Sequence, residues 1–589
     1  MEMDVALINA SNAMMKVLRD WGVKNIYGLP GGSFDSTMNA LHDFRDEIRY
    51  IGVRHEEVGA LAAVAEAKLT GKLGVTFGSA GPGAVHLLNG LYDARHDHVP
   101  VLALVGQVAT PLMNMDYFQE LPENPIFADV AVYNRTVTTA EQLPHVIDAA
   151  IRQAYDRKGV AVVVIPRDLG WAQIPDDYVS SAGSYVQPTW TLGPRAEDVE
   201  QALELIAAAQ RPIIYFGRGA EGASNELREL SELLQLPLVS TYLGKGILPD
   251  DYPGYMISTG RVATKPGTDV SRAADLVLFI GTNFEFGSSM FHPEASFIDV
   301  NLDTTSIGAR HATTLGVRAD ATVFLRELLS LARSRAEAGV DHSGWYRSAL
   351  DDKQEWDGWI AAKASDTRVP VRIPPVFSEI NKVAAADAVF GVDVGNINIE
   401  TARFLHLDEG KTLTTSALYA TMGYGLPASI AAALVYPDRQ VWSLSGDGGM
   451  AMVAQDLATQ ALYHLPIINV VLTNLSFGFI EAEQDDQGQP HSGVELMDID
   501  FAKVAEGFGV RGLTARTIEE FRAALAEAKD ATEPILIDVK VTNERLLPVE
   551  AYPLRRADRD DFEEFVSRYD ASDLRPFAEI LAEHGVALG

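Results

Sequence analysis

The stretch Val441–Asn474, VWSLSGDGGMAMVAQDLATQALYHLPIINVVLTN, constrains the fold of this chain more than any other. A β-branched apolar run meets the tight turn Gly446-Asp447-Gly448-Gly449. A helical stretch follows to about Tyr463, and after Pro466 a second buried strand, Ile467–Thr473, ends on Asn474. In a parallel α/β sheet, ligands collect beyond the carboxyl ends of the strands, so Asp447 and Asn474 are expected to share one crevice. A carboxylate and an amide oxygen suit a hard cation, Mg2+ or Ca2+, that keeps positions open for phosphate oxygens. The glycines let a diphosphate approach the backbone and the positive end of the helix. A glycine-rich turn alone is common, and its Asp could simply cap a helix. A GDG whose last glycine is followed 26 residues on by Asn, at the end of a buried strand, is far more restrictive.

Strand–helix alternation recurs over 1–187, 188–335 and 374–548, with a charged, Trp-rich helical segment over 336–373 and short amphipathic helices over 549–589. The expected fold class is therefore α/β: three doubly wound parallel-sheet domains with a C-terminal helical tail. A formal charge of −33 argues against binding nucleic acid or an anionic membrane, and makes any anionic cofactor depend on backbone N–H groups and a few placed Arg or Lys. The chain has no cysteine, so thiolate chemistry is excluded and redox steps need a cofactor. No run of eighteen apolar residues occurs and the N-terminus shows no basic leader, so a cytoplasmic protein is expected.

In the first block, Arg54-His55-Glu56-Glu57 opens a small-residue helix. Gly78-Ser79-Ala80-Gly81-Pro82-Gly83 follows a strand and leads to His86. Either could be structural: a carboxylate at a helix start is favoured by the dipole, and a glycine turn need bind nothing. In the middle block, Gly217-Arg218-Gly219-Ala220-Glu221-Gly222 is a formal GxGxxG. The next strand, Leu236–Val239, runs into Ser240-Thr241-Tyr242 without the acid that an NAD ribose requires. His96-Asp97-His98 reads as a solvated turn rather than a metal site.

Taken together, RHEEVGA…TG…GSAGPG…H…NGLYDA…VPVLAL, FQE at Phe118–Glu120 and GDGG…N resemble the thiamin-diphosphate enzymes along essentially the whole chain. Within them, the chain is most similar to the FAD-containing, phosphate-dependent pyruvate oxidase branch. The resemblance implies a pyrimidine-binding first domain, a central FAD domain and a third domain for diphosphate and metal. It places the essential glutamate on Glu56 rather than Glu57, and a buried carboxyl of raised pKa is suited to holding the aminopyrimidine in its imino form. It assigns Asp447, Asn474 and the Ser476 carbonyl to Mg2+. It assigns Ser79, Gly395, Asn396, Ala420, Met422, Gly446, Gly448 and Gly449 to thiamin diphosphate, with Ile480 as the wedge that bends the cofactor. Phe479 would lie between thiamin and flavin, while Gln119, Phe118 and Glu483 meet substrate, and Ser33 and His86 face the reaction centre. FAD contacts are expected from Gly217, Gly219, Thr241, Lys245, Arg261, Gly281, Asn283, Asp299 and Asp320.

The implied reaction converts pyruvate, phosphate and O2 into acetyl phosphate, CO2 and hydrogen peroxide, through the thiamin ylide and FAD. The implied assembly is a homo-oligomer, at least a dimer and in the family a tetramer, with Glu56 and Asp447 of different subunits in one site. Two rivals share the framework. Acetolactate synthases carry a structural FAD but typically Gly-Met-Val-x-Gln-Trp where this chain has Gly-Phe-Ile-x-x-Glu. Quinone-dependent oxidases carry a lipid-binding tail, which the short, non-basic SDLRPFAEILAEHGVALG does not resemble.

Overall fold

A computed structural model describes residues 6–186, 192–284, 290–335, 341–544 and 574–587. The expected boundary at 187/188, the start of the 336–373 segment and most of the 549–589 tail lie outside the described residues.

Runs rich in Val and Ile become strands buried on both faces, as the helices on either side of a parallel sheet require. Val160–Pro166 and Ile467–Thr473 are buried at every position. The first block contains β1 (Leu7–Asn9), β2 (Asn25–Gly28), β3 (Arg49–Gly52), β4 (Gly74–Gly78), β5 (Val101–Gln107), β6 (Ala131–Thr136), β7 (Val160–Pro166) and β8 (Gln173–Pro175). β1 and β8 form a small antiparallel ribbon, and the rest make a parallel sheet of order β3-β2-β4-β5-β7-β6. The middle block adds β9 (Pro212–Phe216), β10 (Leu238–Ser240), β11 (Tyr255–Ser258), β12 (Leu276–Ile280), β13 (Ser296–Asn301) and β14 (Leu315–Arg318), ordered β11-β10-β9-β12-β13-β14. The third block adds β15 (Val389–Val392), β16 (Thr412–Thr414), β17 (Val441–Gly446), β18 (Ile467–Thr473), β19 (Arg511–Ala515) and β20 (Ile535–Lys540), ordered β16-β15-β17-β18-β20-β19.

Numbered within their own sheets, the first and third orders are the same, 2-1-3-4-6-5. The middle order is 3-2-1-4-5-6, the dinucleotide-binding arrangement with its switch point between β9 and β12. The first and third sheets share one core. Val58, Leu61 and Ala62 of the helix Glu56–Thr70 pack with Leu426, Ile430 and Ala431 of the helix Gly425–Val435, and small side chains let the two helices approach closely. The helix Ser343–Ala364 carries Trp345 and Ala349 into the middle core, where Phe577, Ile580 and Leu581 of the last described helix join them. No helix among the described residues is long and apolar enough to cross a membrane.

Two local expectations change. The helix after the GDGG turn is not continuous to Tyr463: it runs Asp447–Val453, tightens to a 3-10 turn at Ala454–Asp456 and resumes at Leu457–Leu462. The break turns Asp456 inward, where its Oδ1 accepts the Arg54 backbone N–H at 2.8 Å. The turn at His96-Asp97-His98 is solvated only in part, at the exposed His98. Asp97 is fully buried and ion-paired with Lys68, and its carbonyl accepts a hydrogen bond from Arg218 of the middle block.

Candidate active site

One continuous cavity of about 1300 Å3 runs between the middle and third sheets. Gly395, Asn396, Ala420, Met422, Gly446, Asp447, Gly448, Gly449, Asn474 and Ser476 line its third-block end. Gly217, Gly219, Thr241, Arg261, Gly281, Asn283 and Asp320 line its middle-block end, and Phe479, Ile480 and Glu483 lie on the helix Gly478–Asp486 in its wall.

At the third-block end, β17 and β18 are parallel neighbours, which puts Asp447 and Asn474 at adjacent strand ends. Asp447 is the first residue of its helix, and Gly446, not Asp447, occupies the cap position. Its Oδ1 accepts Gly448 N–H at 3.0 Å and its Oδ2 accepts Leu475 N–H at 2.8 Å, while burial pushes its carboxyl above the ordinary Asp range. Asn474 Oδ1 accepts Ser476 N–H at 3.2 Å. The carboxylate and the amide oxygen are donors fit for a hard divalent cation, and Ser476 lies beside them in the cavity wall. A β-carbon at Gly449 would lie 2.3 Å from Asp393 Oδ2, so only glycine lets the turn lie this close to the carboxyl beneath it.

Asp393, which opens the Asp393-Val394-Gly395-Asn396 run that the resemblance assigns to the diphosphate cradle, is the support of this cradle. It is fully buried, and its Oδ1 accepts Val394 N–H at 2.7 Å, Gly423 N–H at 2.7 Å and Tyr424 N–H at 3.2 Å. Its Oδ2 has no hydrogen-bond partner among the described residues. Burial pushes the carboxyl up to about 6. The folded state therefore holds this proton more tightly than the unfolded chain does. Stability is lost as pH rises from the ordinary Asp value, about 4, through 6, and the loss is complete above that. The thermal midpoint of the wild type relative to Asp393→Asn will fall between about pH 4 and pH 6, and a difference that stays flat would contradict this assignment.

At the middle-block end, the Gly217–Gly219 turn leaves the carboxyl end of β9 at the switch point. A β-carbon at Gly219 would lie 2.7 Å from the backbone of Gly281, which follows β12, so the turn is packed on its neighbour and open towards the cavity. That open backbone fits a dinucleotide phosphate. Asp320 lines the cavity and also caps the following helix, its Oδ1 accepting Val323 N–H at 3.0 Å. Two expected contacts lie elsewhere. Lys245 is buried in an ion pair with Asp250, five residues on, and does not reach the cavity wall. Asp299 lies two residues short of the end of β13, where it accepts Gly308 N–H at 3.1 Å, and Asn301 and Asp303 line the cavity instead. Arg261 does line it, but its guanidinium is paired with Glu483 and lies over the Phe479 ring, 5.5 Å from the centroid. Arg218 and Arg318 are further cations of the wall. Arg218 stood in the glycine motif itself, whereas nothing local marked Arg318. Lys245→Ala will unfold at lower denaturant, by about 3–5 kcal/mol, because it strands a buried carboxylate. Flavin affinity measured below that transition will change little, and a selective loss of flavin from an otherwise stable variant would restore Lys245 to the site.

The first-block residues gather at a different place. Glu56 is 6% exposed, and its Oε2 meets His86 Nδ1 at 2.9 Å. His55, not Glu56, caps the helix, accepting Glu57 N–H at 3.3 Å, and its ring stacks on His86 with centroids 4.3 Å apart. Ser33 and Ser79 hydroxyls are 2.8 Å apart, and Ser33 accepts Ala80 N–H at 2.8 Å. Gln119 packs against Gly81, and Phe118 stands 78% exposed. None of Ser33, Glu56, Ser79, His86, Phe118 or Gln119 lines the cavity of its own chain. Glu56 and Asp447 of one chain therefore do not share a pocket.

Backbone strain marks both places. Gln119 (φ 65°), Ala420 (φ 59°) and Leu475 (φ 63°) are left-handed without being glycine. Such positions cost of order 1–3 kcal/mol and persist where the surroundings hold them.

Three family models cover the three blocks. The N-terminal TPP binding domain of thiamine pyrophosphate enzymes matches residues 8–126, the central domain 199–328 and the C-terminal TPP binding domain 393–539. The chain is 48% identical to a pyruvate oxidase of Lactiplantibacillus plantarum, over 98% of this chain and 96% of that one. It is 38% identical to a putative thiamine pyrophosphate-containing protein of Bacillus subtilis over 92% of each. It is also 30% identical to the large subunit of acetolactate synthase isozyme 1 of Escherichia coli, over 91% of this chain and 94% of that one. With all three domains matched in order and near-complete coverage of relatives at this identity, the chain belongs to the thiamine pyrophosphate enzymes.

Proposed function

We propose that the protein is a pyruvate oxidase, converting pyruvate, phosphate and O2 into acetyl phosphate, CO2 and hydrogen peroxide with thiamin diphosphate, Mg2+ and FAD. The observation that carries this reading is the single cavity joining a dinucleotide-type glycine turn to the oxygen donors Asp447 and Asn474, with Phe479, Ile480 and Glu483 in the wall between. When bound, thiamin supplies the nucleophilic carbon and electron sink, and FAD the two-electron acceptor. The chain's own groups bind and orient. Asp447, Asn474 and the Ser476 carbonyl hold the metal, and the Gly446–Gly449 backbone and the Gly395-Asn396 turn hold the diphosphate. The Gly217–Gly219 turn with Arg218 and Thr241 holds the dinucleotide. Glu56 holds the proton at the pyrimidine nitrogen, and His86 fixes its carboxyl. Glu483, freed from Arg261, and Gln119 meet the substrate.

Because Glu56 does not line its own chain's cavity, we infer that a second copy completes each site and that the protein is a homo-oligomer. Exposed Phe118, Met115, Tyr117, Leu475 and Ile480 are the apolar side chains that such an assembly would cover.

Oxygen uptake by the purified protein with thiamin diphosphate, Mg2+, FAD and pyruvate, with and without phosphate, tests the reading. Phosphate-dependent uptake with acetyl phosphate and peroxide formed is the expected result. Uptake indifferent to phosphate would assign water as the acyl acceptor. Pyruvate consumed to acetolactate without uptake would make the protein a carboligase with an idle flavin.

A further inference from the structure

Two hydrogen-bonded bridges run from the third block's cofactor loops to the residues flanking Glu56, and the site described above uses neither. The first starts at Asp456, nine residues after Asp447 and at the break in the same helical stretch. Its Oδ1 accepts Arg54 N–H at 2.8 Å and the Thr459 hydroxyl at 2.8 Å. The Thr459 hydroxyl also lies 3.3 Å from the Gly52 carbonyl. Tyr463 accepts Gly52 N–H at 2.7 Å and donates to the Tyr50 carbonyl at 3.3 Å. β3 is the edge strand of its sheet, so these side chains close its free edge immediately before the chain turns into Glu56. The second bridge is Asn89, whose Nδ2 donates to Glu57 Oε1 at 2.6 Å and to the Thr421 hydroxyl at 2.7 Å. Thr421 adjoins Met422 in the cavity wall.

Asp456 is fully buried and its Oδ2 has no hydrogen-bond partner among the described residues. A half-satisfied buried carboxyl is a poor device for stability alone, since an apolar side chain would avoid the desolvation penalty. What it does achieve is to fix one backbone N–H two residues before Glu56.

We propose that Asp456 and Asn89 are positioning residues for Glu56, Asp456 holding the backbone at Arg54 from the third block and Asn89 tying the Glu57 side chain to Thr421, so that the Glu56 carboxyl points at the pyrimidine of a neighbouring subunit's cofactor. The proposal rests on the reading of Glu56 given above. It has a structural consequence: the helical stretch that begins at the metal ligand of one site ends by holding the carboxylate that serves another.

The test is hydrogen–deuterium exchange at thiamin C2 in the reconstituted holoenzyme without pyruvate, read by NMR after acid quench, for wild type, Glu56→Gln, Asp456→Ala, Asp456→Asn and Asn89→Ala. Binding of Mg2+–thiamin diphosphate is measured on the same samples. Asp456→Ala removes the acceptor for Arg54 N–H and slows exchange by about tenfold or more, with cofactor affinity within about threefold of wild type. Asp456→Asn keeps an acceptor oxygen and stays within about threefold, and Asn89→Ala slows exchange by about threefold or more. Amide exchange at Arg54 speeds up in Asp456→Ala only. Wild-type C2 exchange in both Asp456→Ala and Asn89→Ala overturns the proposal. So does Asp456→Asn as slow as Asp456→Ala, which would assign the effect to charge. If Asp456→Ala does not fold, wild-type exchange in Asn89→Ala alone overturns it. Unslowed exchange in Glu56→Gln would instead sink the reading of Glu56 itself.

Discussion

Glu56→Gln will lower turnover at least about a hundredfold, within the range that a positioned proton-transfer group supplies, while the fold and the metal-dependent binding of thiamin diphosphate stay close to wild type. The substitution keeps the volume of a side chain that is almost fully buried, and an amide can still meet His86 Nδ1. It does not uncap the helix Glu56–Thr70, because His55 fills that position. What remains is the loss of favourable charge at the helix start, about 0.3–1 kcal/mol, too small to unfold a domain with this much buried core. Gln cannot hold and return a proton, so the loss falls on the turnover number. Glu57→Gln is the control: its carboxylate accepts from Asn89 and points along the bridge instead of to His86, so its loss will stay within about tenfold. A Glu56→Gln enzyme that keeps a tenth of wild-type activity would overturn the assignment, and a larger loss in Glu57→Gln would transfer it to the neighbour.

The parts of this site that were legible in the sequence are those where local pattern and fold point the same way. The GDG turn and Asn474 mark two strand ends, and neighbouring parallel strands bring strand ends together whatever the rest of the chain does. Gly217-Arg218-Gly219 was legible for the same reason, and the missing acid after β10 separated it from an NAD site. Lys245 pairs instead with Asp250, a charge five residues on, across the turn that follows it. Asp299 failed by about 7 Å of strand, two residues at about 3.3 Å each. A side chain at that depth meets the following turn, not the ligand. The left-handed residues Gln119, Ala420 and Leu475 carried no signal, since neither glycine nor asparagine announces them. Asp456 carried no signal of its own within the helical stretch, because the amide that turns it inward lies 402 residues earlier. What the sequence could not convey was contact between blocks: local periodicity describes each sheet but not which carboxyl of one reaches the backbone of another.

Asp447→Asn will weaken thiamin diphosphate binding at saturating Mg2+ by about a hundredfold, and the remaining affinity will no longer respond to the metal. Among the described residues, no lysine or arginine pairs with this carboxylate, although burial raises its pKa and Asp538 adds a second negative charge nearby. Two backbone N–H groups satisfy it only in part. Without a metal it is therefore a buried charge with no cationic partner among the described residues, which a divalent cation would neutralise. The same electrostatics predicts an opposite effect on stability. Without metal or cofactor, Asp447→Asn will unfold at a temperature equal to or above that of the wild type, because it removes the buried charge and keeps an oxygen for one backbone N–H. With Mg2+ and thiamin diphosphate at about a hundred times the dissociation constant, the wild type gains about 2.7 kcal/mol by mass action and the variant gains almost none, so the order of the two midpoints reverses. Thermal unfolding of both proteins, with EDTA and with saturating Mg2+ and cofactor, checks both halves at once. A variant that loses stability in EDTA would make Asp447 a structural cap, and one that gains as much from Mg2+ and cofactor as the wild type would remove it from the metal site.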